Sequence, residues 1–164
     1  MNKKFKVVAV GGTFDEFHKG HRSLIMKAFE VGEQVLIGLC SDEFAEKLNK
    51  PHPTVPYSKR LEELKAFLRE NDLLERVEII PLNDIYGVTL SDGYVEALVV
   101  SKETEPTARK INERRKELGL PALHVEIIEM VPSENHAPIS TTRIYRGEID
   151  REGYLLKTGK IREK

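Results

Sequence analysis

Phe5-Lys6-Val7-Val8-Ala9-Val10-Gly11-Gly12-Thr13-Phe14-Asp15-Glu16-Phe17-His18-Lys19-Gly20-His21 is the stretch on which the fold turns. Phe5–Val10 is a short, β-branched apolar run of the kind that forms a strand buried on both faces. Gly11 and Gly12 then let the backbone turn tightly and bring main-chain atoms close to a ligand. A helix starts near Gly20-His21 and carries Leu24, Ile25, Ala28 and Phe29 at helical spacing. Strand, glycine turn and amphipathic helix in that order open a βαβ unit, whose connecting loop lies at the carboxyl end of the strand, where such sheets take their ligands.

Outward from this stretch the same alternation continues. Gln34–Cys40 is a second buried strand, and Ser41-Asp42 caps a short helix reaching Leu48. Pro51-His52-Pro53-Thr54-Val55-Pro56 is a loop that cannot be helical. Ser58 reads as the N-cap of a helix with Leu61, Leu64, Phe67 and Leu68 on one face. Val77–Leu82 and Ala97–Ser101 are the third and fourth strands. Thr104 and Pro106 start a helix that Gly119 stops, with Ala108, Ile111 and Leu118 facing inward, and His124–Val131 is the fifth strand. Right-handed βαβ units in this order predict an α/β fold, a doubly wound, five-stranded parallel sheet of Rossmann-like type. One composition regime without repeats makes residues 1–164 a single domain, with a polar, partly flexible tail over about 154–164.

Composition narrows the function. With 26 basic against 27 acidic side chains the net charge is −1, without the basic excess of a protein that lives on nucleic acid or an anionic membrane. No apolar run approaches a membrane span, and Met1–Lys6 is too short and polar for a signal peptide. The single cysteine, Cys40, excludes an internal disulfide and a multi-cysteine zinc site, which suits the cytoplasm. Asn and Gln together number only seven while Lys and Glu are plentiful, a bias seen in thermophile proteins.

His18 and His21 flank Gly20 at the start of the first helix. The positive end of the helix dipole and its unpaired amides attract phosphate there, and imidazoles donate hydrogen bonds to phosphate oxygens. The Gly-Lys-Ser/Thr of a P-loop and the Gly-x-Gly-x-x-Gly fingerprint are both missing. Carboxylate or cysteine ligands at a metal-site spacing are missing too, so no metal site is assigned to the protein's own residues.

Gly11-Gly12-Thr13-Phe14-Asp15 with His18-Lys19-Gly20-His21 resembles the nucleotidylyltransferase superfamily, whose second signature is matched by Ile139-Ser140-Thr141-Thr142-Arg143. The stretches Ile37–Asp42, Ala97–Thr104, Ala108–Glu113 and Thr142–Asp150 are similar to the archaeal and eukaryotic branch of phosphopantetheine adenylyltransferase. The resemblance spans roughly residues 5–153. It implies transfer of AMP from ATP to 4′-phosphopantetheine, giving dephospho-coenzyme A and pyrophosphate in coenzyme A biosynthesis, with Mg2+ arriving on ATP. By resemblance, His18 and His21 bind the nucleotide phosphates, Thr13 and Lys50 hold the acceptor phosphate, and Phe14 lines the pantetheine arm. Lys47 is the alternative to Lys50.

Ser140 is a good N-cap, so Thr141, Thr142 and the free amides of that turn can meet the β- and γ-phosphates, with Arg143 adding a charge-assisted contact. Arg146 is its alternative, because a basic residue common two positions after Arg143 is Tyr145 here. Arg60 anchors either the preceding loop or a substrate, and Asp15 is read as shaping the glycine loop. The same two signatures also serve cytidylyltransferases for glycerol phosphate and adenylyltransferases for nicotinamide or flavin mononucleotide. A nucleotide-binding regulator without catalysis is the reading from another class. The sequence leaves the oligomeric state open.

Overall fold

The computed structural model describes residues 3–48, 53–91 and 93–156. Five parallel strands form one sheet in the order β3-β2-β1-β4-β5: β1 (Phe5–Gly12), β2 (Gly32–Cys40), β3 (Val77–Leu82), β4 (Ala97–Ser101) and β5 (His124–Ile128). The chain winds outward through β1, β2 and β3, then returns to lay β4 on the other side of β1. That reversal leaves a crevice between β1 and β4 at the carboxyl ends of the strands.

The period-2 alternation of the strands sorts the core into two layers. Val8, Val10, Val35, Ile37, Leu39 and Val99 face α1 (Lys19–Val31) and α3 (Tyr57–Glu70), which bury Leu24, Ile25, Ala28, Phe29, Leu64 and Leu68 against them. Ala9, Leu36 and Leu98 point the other way, toward Ala108 and Ile111 of α4 (Glu105–Glu117). A third cluster, Ile139, Ile144 and Ile149, fastens α5 (Thr141–Tyr145) and the chain after it. Sheet and helix layers thus match the expected fold class.

Boundaries moved where pairing or packing outweighed local signals. β1 runs on to Gly12 because β2 pairs with it as far as Gly12–Leu39. β5 stops at Ile128 rather than Val131, since its partner β4 ends opposite it at Ser101. The N-cap of α3 is Pro56, not Ser58: the amide of Tyr57 donates to Asp42 Oδ1 at 2.8 Å, so a residue of α2 (Asp42–Lys47) caps this helix from across the fold. Leu118 is 47% exposed at the C-cap of α4 rather than inward. Ser41, Thr104 and Ser140 occupy the N-cap positions expected of them. Of the expected tail, Leu155 bridges back to Ile149, and the part from residue 157 lies outside the described residues.

Candidate active site

A cavity of about 370 Å3 opens at the β1/β4 crevice. It gathers Thr13, Phe14, His18 and His21 from the first loop and helix with Ser140, Thr141 and Thr142 from the start of α5. Two regions some 120 residues apart in sequence therefore meet in one place. Lys50 lies outside the described residues, and Lys47 is exposed on the last turn of α2.

The loop leading to the histidines is held in an unusual backbone path. Phe14 (φ 53°) and Glu16 (φ 49°) are both left-handed and both buried, a conformation costing roughly 1–3 kcal/mol at each non-glycine residue. Three ties hold it. Arg60 donates to the Thr13 carbonyl at 3.0 Å, Thr141 Oγ1 donates to the Asp15 carbonyl at 3.0 Å, and Arg151 pairs with Glu16 at 2.8 Å. Asp15 Oδ1 in turn accepts the amide of Val55 at 3.2 Å and that of Glu16 at 3.1 Å, the loop-shaping role expected of it. Arg60 settles on the anchoring side of its two readings. Its side chain is 1% exposed, with the Val55 carbonyl at 2.6 Å, the Cys40 carbonyl at 2.8 Å and Asp42 Oδ1 at 3.0 Å as further acceptors.

The two histidines cap the helix for each other. His18 Nδ1 accepts the His21 amide at 3.3 Å, and His21 Nδ1 accepts the His18 amide at 3.2 Å, with the rings stacked 3.6 Å apart. An Nδ1 that accepts cannot carry a proton, so in the neutral ring the proton sits on Nε2. Burial, reinforced by the charges of Arg22 and Arg151 and opposed by Glu16, lowers the pKa of His18 from 6.5 to about 4, so His18 is neutral at pH 7. Phe14 and Phe17 pack against His21, at 5.3 and 5.9 Å between ring centroids. Gly20 is required by this stack: a Cβ there would come 2.8 Å from His18 Cε1.

The amides of the α1 N-terminus are largely used up. Lys19 N donates to the Arg151 carbonyl and His21 N to His18 Nδ1. In place of the backbone amides that the sequence reading assigned to phosphate, this end of the helix brings the imidazoles of His18 and His21 to the cavity.

Arg143 does not join the cavity. Its guanidinium donates to Glu148 Oε2 at 2.9 Å, Ser133 Oγ at 2.9 Å, Asn135 Oδ1 at 3.1 Å and the Pro138 carbonyl at 3.0 Å, bracing the loop before α5. Arg146, the alternative, is exposed at the C-cap of α5. Ser140 Oγ accepts the Arg143 amide at 3.2 Å. The hydroxyls of Ser140 and Thr142, rather than the arginine, are what α5 offers a ligand.

The cavity also has an apolar wall absent from the sequence reading. Ile85, Tyr86 and Val88, from the connection between β3 and β4, line it together with Leu98 and Ile111. No motif announces these residues, because a helix-free connection has no period to read. Among the described residues no group of three or more His, Cys, Asp or Glu is placed to hold a metal ion.

A family model described as cytidylyltransferase-like matches residues 9–147. A phosphopantetheine adenylyltransferase of Methanothermobacter thermautotrophicus is 48% identical over 96% of this chain and 93% of its own length. One from Pyrococcus horikoshii is 41% identical, over 94% of this chain and 98% of its own. Among solved structures, an Archaeoglobus fulgidus protein of unknown function superposes with a TM-score of 0.67 at 35% identity, covering 76% of this chain and 98% of that one. A tyrosyl-tRNA synthetase from the same organism, at 12% identity and a TM-score of 0.61, covers 86% of this chain and 60% of its own and shares the fold alone. With half of the chain and more matched by the family model, and relatives this similar over nearly their whole length, the chain belongs to the cytidylyltransferase-like family and, within it, to the phosphopantetheine adenylyltransferases.

Proposed function

We propose that the protein transfers AMP from ATP to 4′-phosphopantetheine, releasing dephospho-coenzyme A and pyrophosphate. The observation that carries this reading is the reciprocal histidine cap: it turns two imidazoles into Nε2–H donors in the same cavity as the hydroxyls of Ser140 and Thr142. An acceptor phosphate oxygen attacks the α-phosphorus, the bond from α-phosphorus to the bridging oxygen breaks, and pyrophosphate leaves with that oxygen. A phosphate is already a nucleophile, so no covalent protein intermediate is needed, and catalysis reduces to alignment and charge stabilisation. His18 and His21 donate to the phosphate oxygens as charge builds on them. Thr13 positions the acceptor phosphate, with Lys50 as its charged partner. The hydroxyls of Ser140 and Thr142 serve the β- and γ-phosphates while Thr141 ties their turn to the Asp15 carbonyl, and Phe14 packs beside the acceptor.

The imidazoles of His18 and His21 and the hydroxyls of Thr13, Ser140 and Thr142 in this cavity can donate to the oxygens of a magnesium-bound triphosphate. Magnesium, carried in on ATP, adds neutralisation of the leaving pyrophosphate. We place the protein in the cytoplasm, a reducing compartment that suits its one buried cysteine. No described helix is long and apolar enough to cross a membrane.

The test is incubation with ATP or CTP against 4′-phosphopantetheine, glycerol phosphate, nicotinamide mononucleotide and flavin mononucleotide, following pyrophosphate. Release that requires ATP and 4′-phosphopantetheine supports the reading. A preference for CTP or another acceptor replaces it, and tight ATP binding without turnover makes the protein a nucleotide-binding regulator.

A further inference from the structure

Behind the histidine pair the chain's last described turn closes on the first helix. Asp150 Oδ1 accepts the amides of Glu152 and Tyr154, each at 2.9 Å, and its carbonyl accepts the Gly153 amide at 3.0 Å, so residues 150–154 form a rigid turn. That turn presents Arg151 in two ways. Its carbonyl accepts the Lys19 amide, the first of α1, at 2.9 Å. Its guanidinium forks between Glu16 Oε2, at 3.0 Å from Nε and 2.8 Å from Nη2, and Glu63 Oε2 of α3, at 3.2 Å from Nη1. Beside it, Glu152 pairs with Arg22, which also donates to the Phe17 carbonyl at 3.3 Å. Glu16 is the buried left-handed residue two positions before His18, and its carboxylate is 5% exposed.

We propose that Arg151 is a positioning residue for the reaction: its grip on Glu16 and on the start of α1 holds the left-handed turn that aims the His18–His21 pair at the phosphates. This rests on the transferase reading for its kinetic arm only. The fork uses the planar geometry of a guanidinium, so a lysine keeps the charge but grips one carboxylate at a time. The charged groups facing His18 are Arg22 on α1, Arg151 on the terminal turn and Glu16 on the loop, with His21 stacked against it. Arg151 and Glu16 pull the titration of His18 in opposite directions. The opposed His18 shifts report whether both charges face the ring, and the split between kcat and KM is the readout that a purely structural role would not move.

The experiment uses the full chain as wild type, Arg151→Met, Arg151→Lys and Glu16→Gln. For each, kcat and KM with ATP and 4′-phosphopantetheine are measured, together with Tm and the NMR titration of His18 Cε1–H. Arg151→Met and Glu16→Gln are each expected to lower kcat roughly tenfold with both KM values within about twofold. The His18 titration moves up in Arg151→Met, down in Glu16→Gln, and returns to wild type in Arg151→Lys, which recovers only part of the kcat. Unchanged kcat in Arg151→Met, or a His18 titration that shifts the same way or not at all in both charge-removing variants, overturns the proposal. If Arg151→Met does not fold, Glu16→Gln and Arg151→Lys decide it alone. A wild type without transferase activity would overturn the function instead, and the opposed His18 shifts would still judge the positioning role.

Discussion

Replacing His18 by Asn tests the central electrostatic feature of the site through stability. Asn keeps an acceptor for the His21 amide and is a good N-cap, but it does not titrate. In the wild type, His18 is held at a pKa of about 4 against 6.5 in the unfolded chain. Below about pH 6.5 the unfolded chain takes up a proton that the folded one refuses, so this stability is whole above that pH and drains away as pH falls toward the folded pKa. The gap of about 2.5 units corresponds to about 3 kcal/mol in all. At about pH 5, where the folded ring is still mostly neutral, some 2 kcal/mol of it is already lost. Urea unfolding at about pH 7.5 and about pH 5 should therefore show the wild type losing about 2 kcal/mol more than His18→Asn, with equal m-values. Carboxylates such as Glu126, whose pKa is lowered chiefly by its hydrogen bond from Lys4, contribute equally to both proteins and cancel. Losses that agree within about 0.5 kcal/mol would refute a buried, neutral His18 and with it the Nε2–H donor.

Further outcomes follow from the same geometry. His21→Ala removes one donor from the developing charge, so kcat should fall about 100-fold or more while the KM for ATP stays within about threefold, as steady-state kinetics will show. Gly20→Ala places a Cβ 2.8 Å from His18 Cε1 and displaces that ring. The kcat should drop by about tenfold while unfolding stability, helped by helix propensity of up to about 1 kcal/mol, does not fall. Arg60→Met strands the carbonyls of Thr13, Cys40 and Val55 and should cost about 3–5 kcal/mol, a fall in Tm of roughly 10 °C by calorimetry. On the proposed reading, in which Mg2+ arrives on ATP, a chelator should stop pyrophosphate release and added Mg2+ restore it.

The βα alternation, the apolar runs of the strands and the helix signals at Ser41, Thr104, Gly119 and Ser140 were legible because each is local: period, cap and turn chemistry act within a few residues. So was the family to which the glycine loop and the Ser-Thr-Thr turn point. That His18, His21, Thr13 and Ser140 share one cavity depends on β4 reversing to the far side of β1, a pairing of distant segments. The split roles of the arginines came from tertiary structure as well. Arg143 sits beside the signature hydroxyls but spends its donors on Glu148, Ser133, Asn135 and nearby carbonyls, whereas Arg60 and Arg151 reach from afar to hold the loop. A guanidinium on a long side chain takes whichever acceptors the fold brings within reach, and sequence spacing does not encode that. By itself, then, the sequence determined the layered α/β fold, the phosphate chemistry and the family. Only the three-dimensional packing decided which donors remain for a ligand, because hydrogen bonds already made to the protein's own distant atoms are no longer available to a substrate.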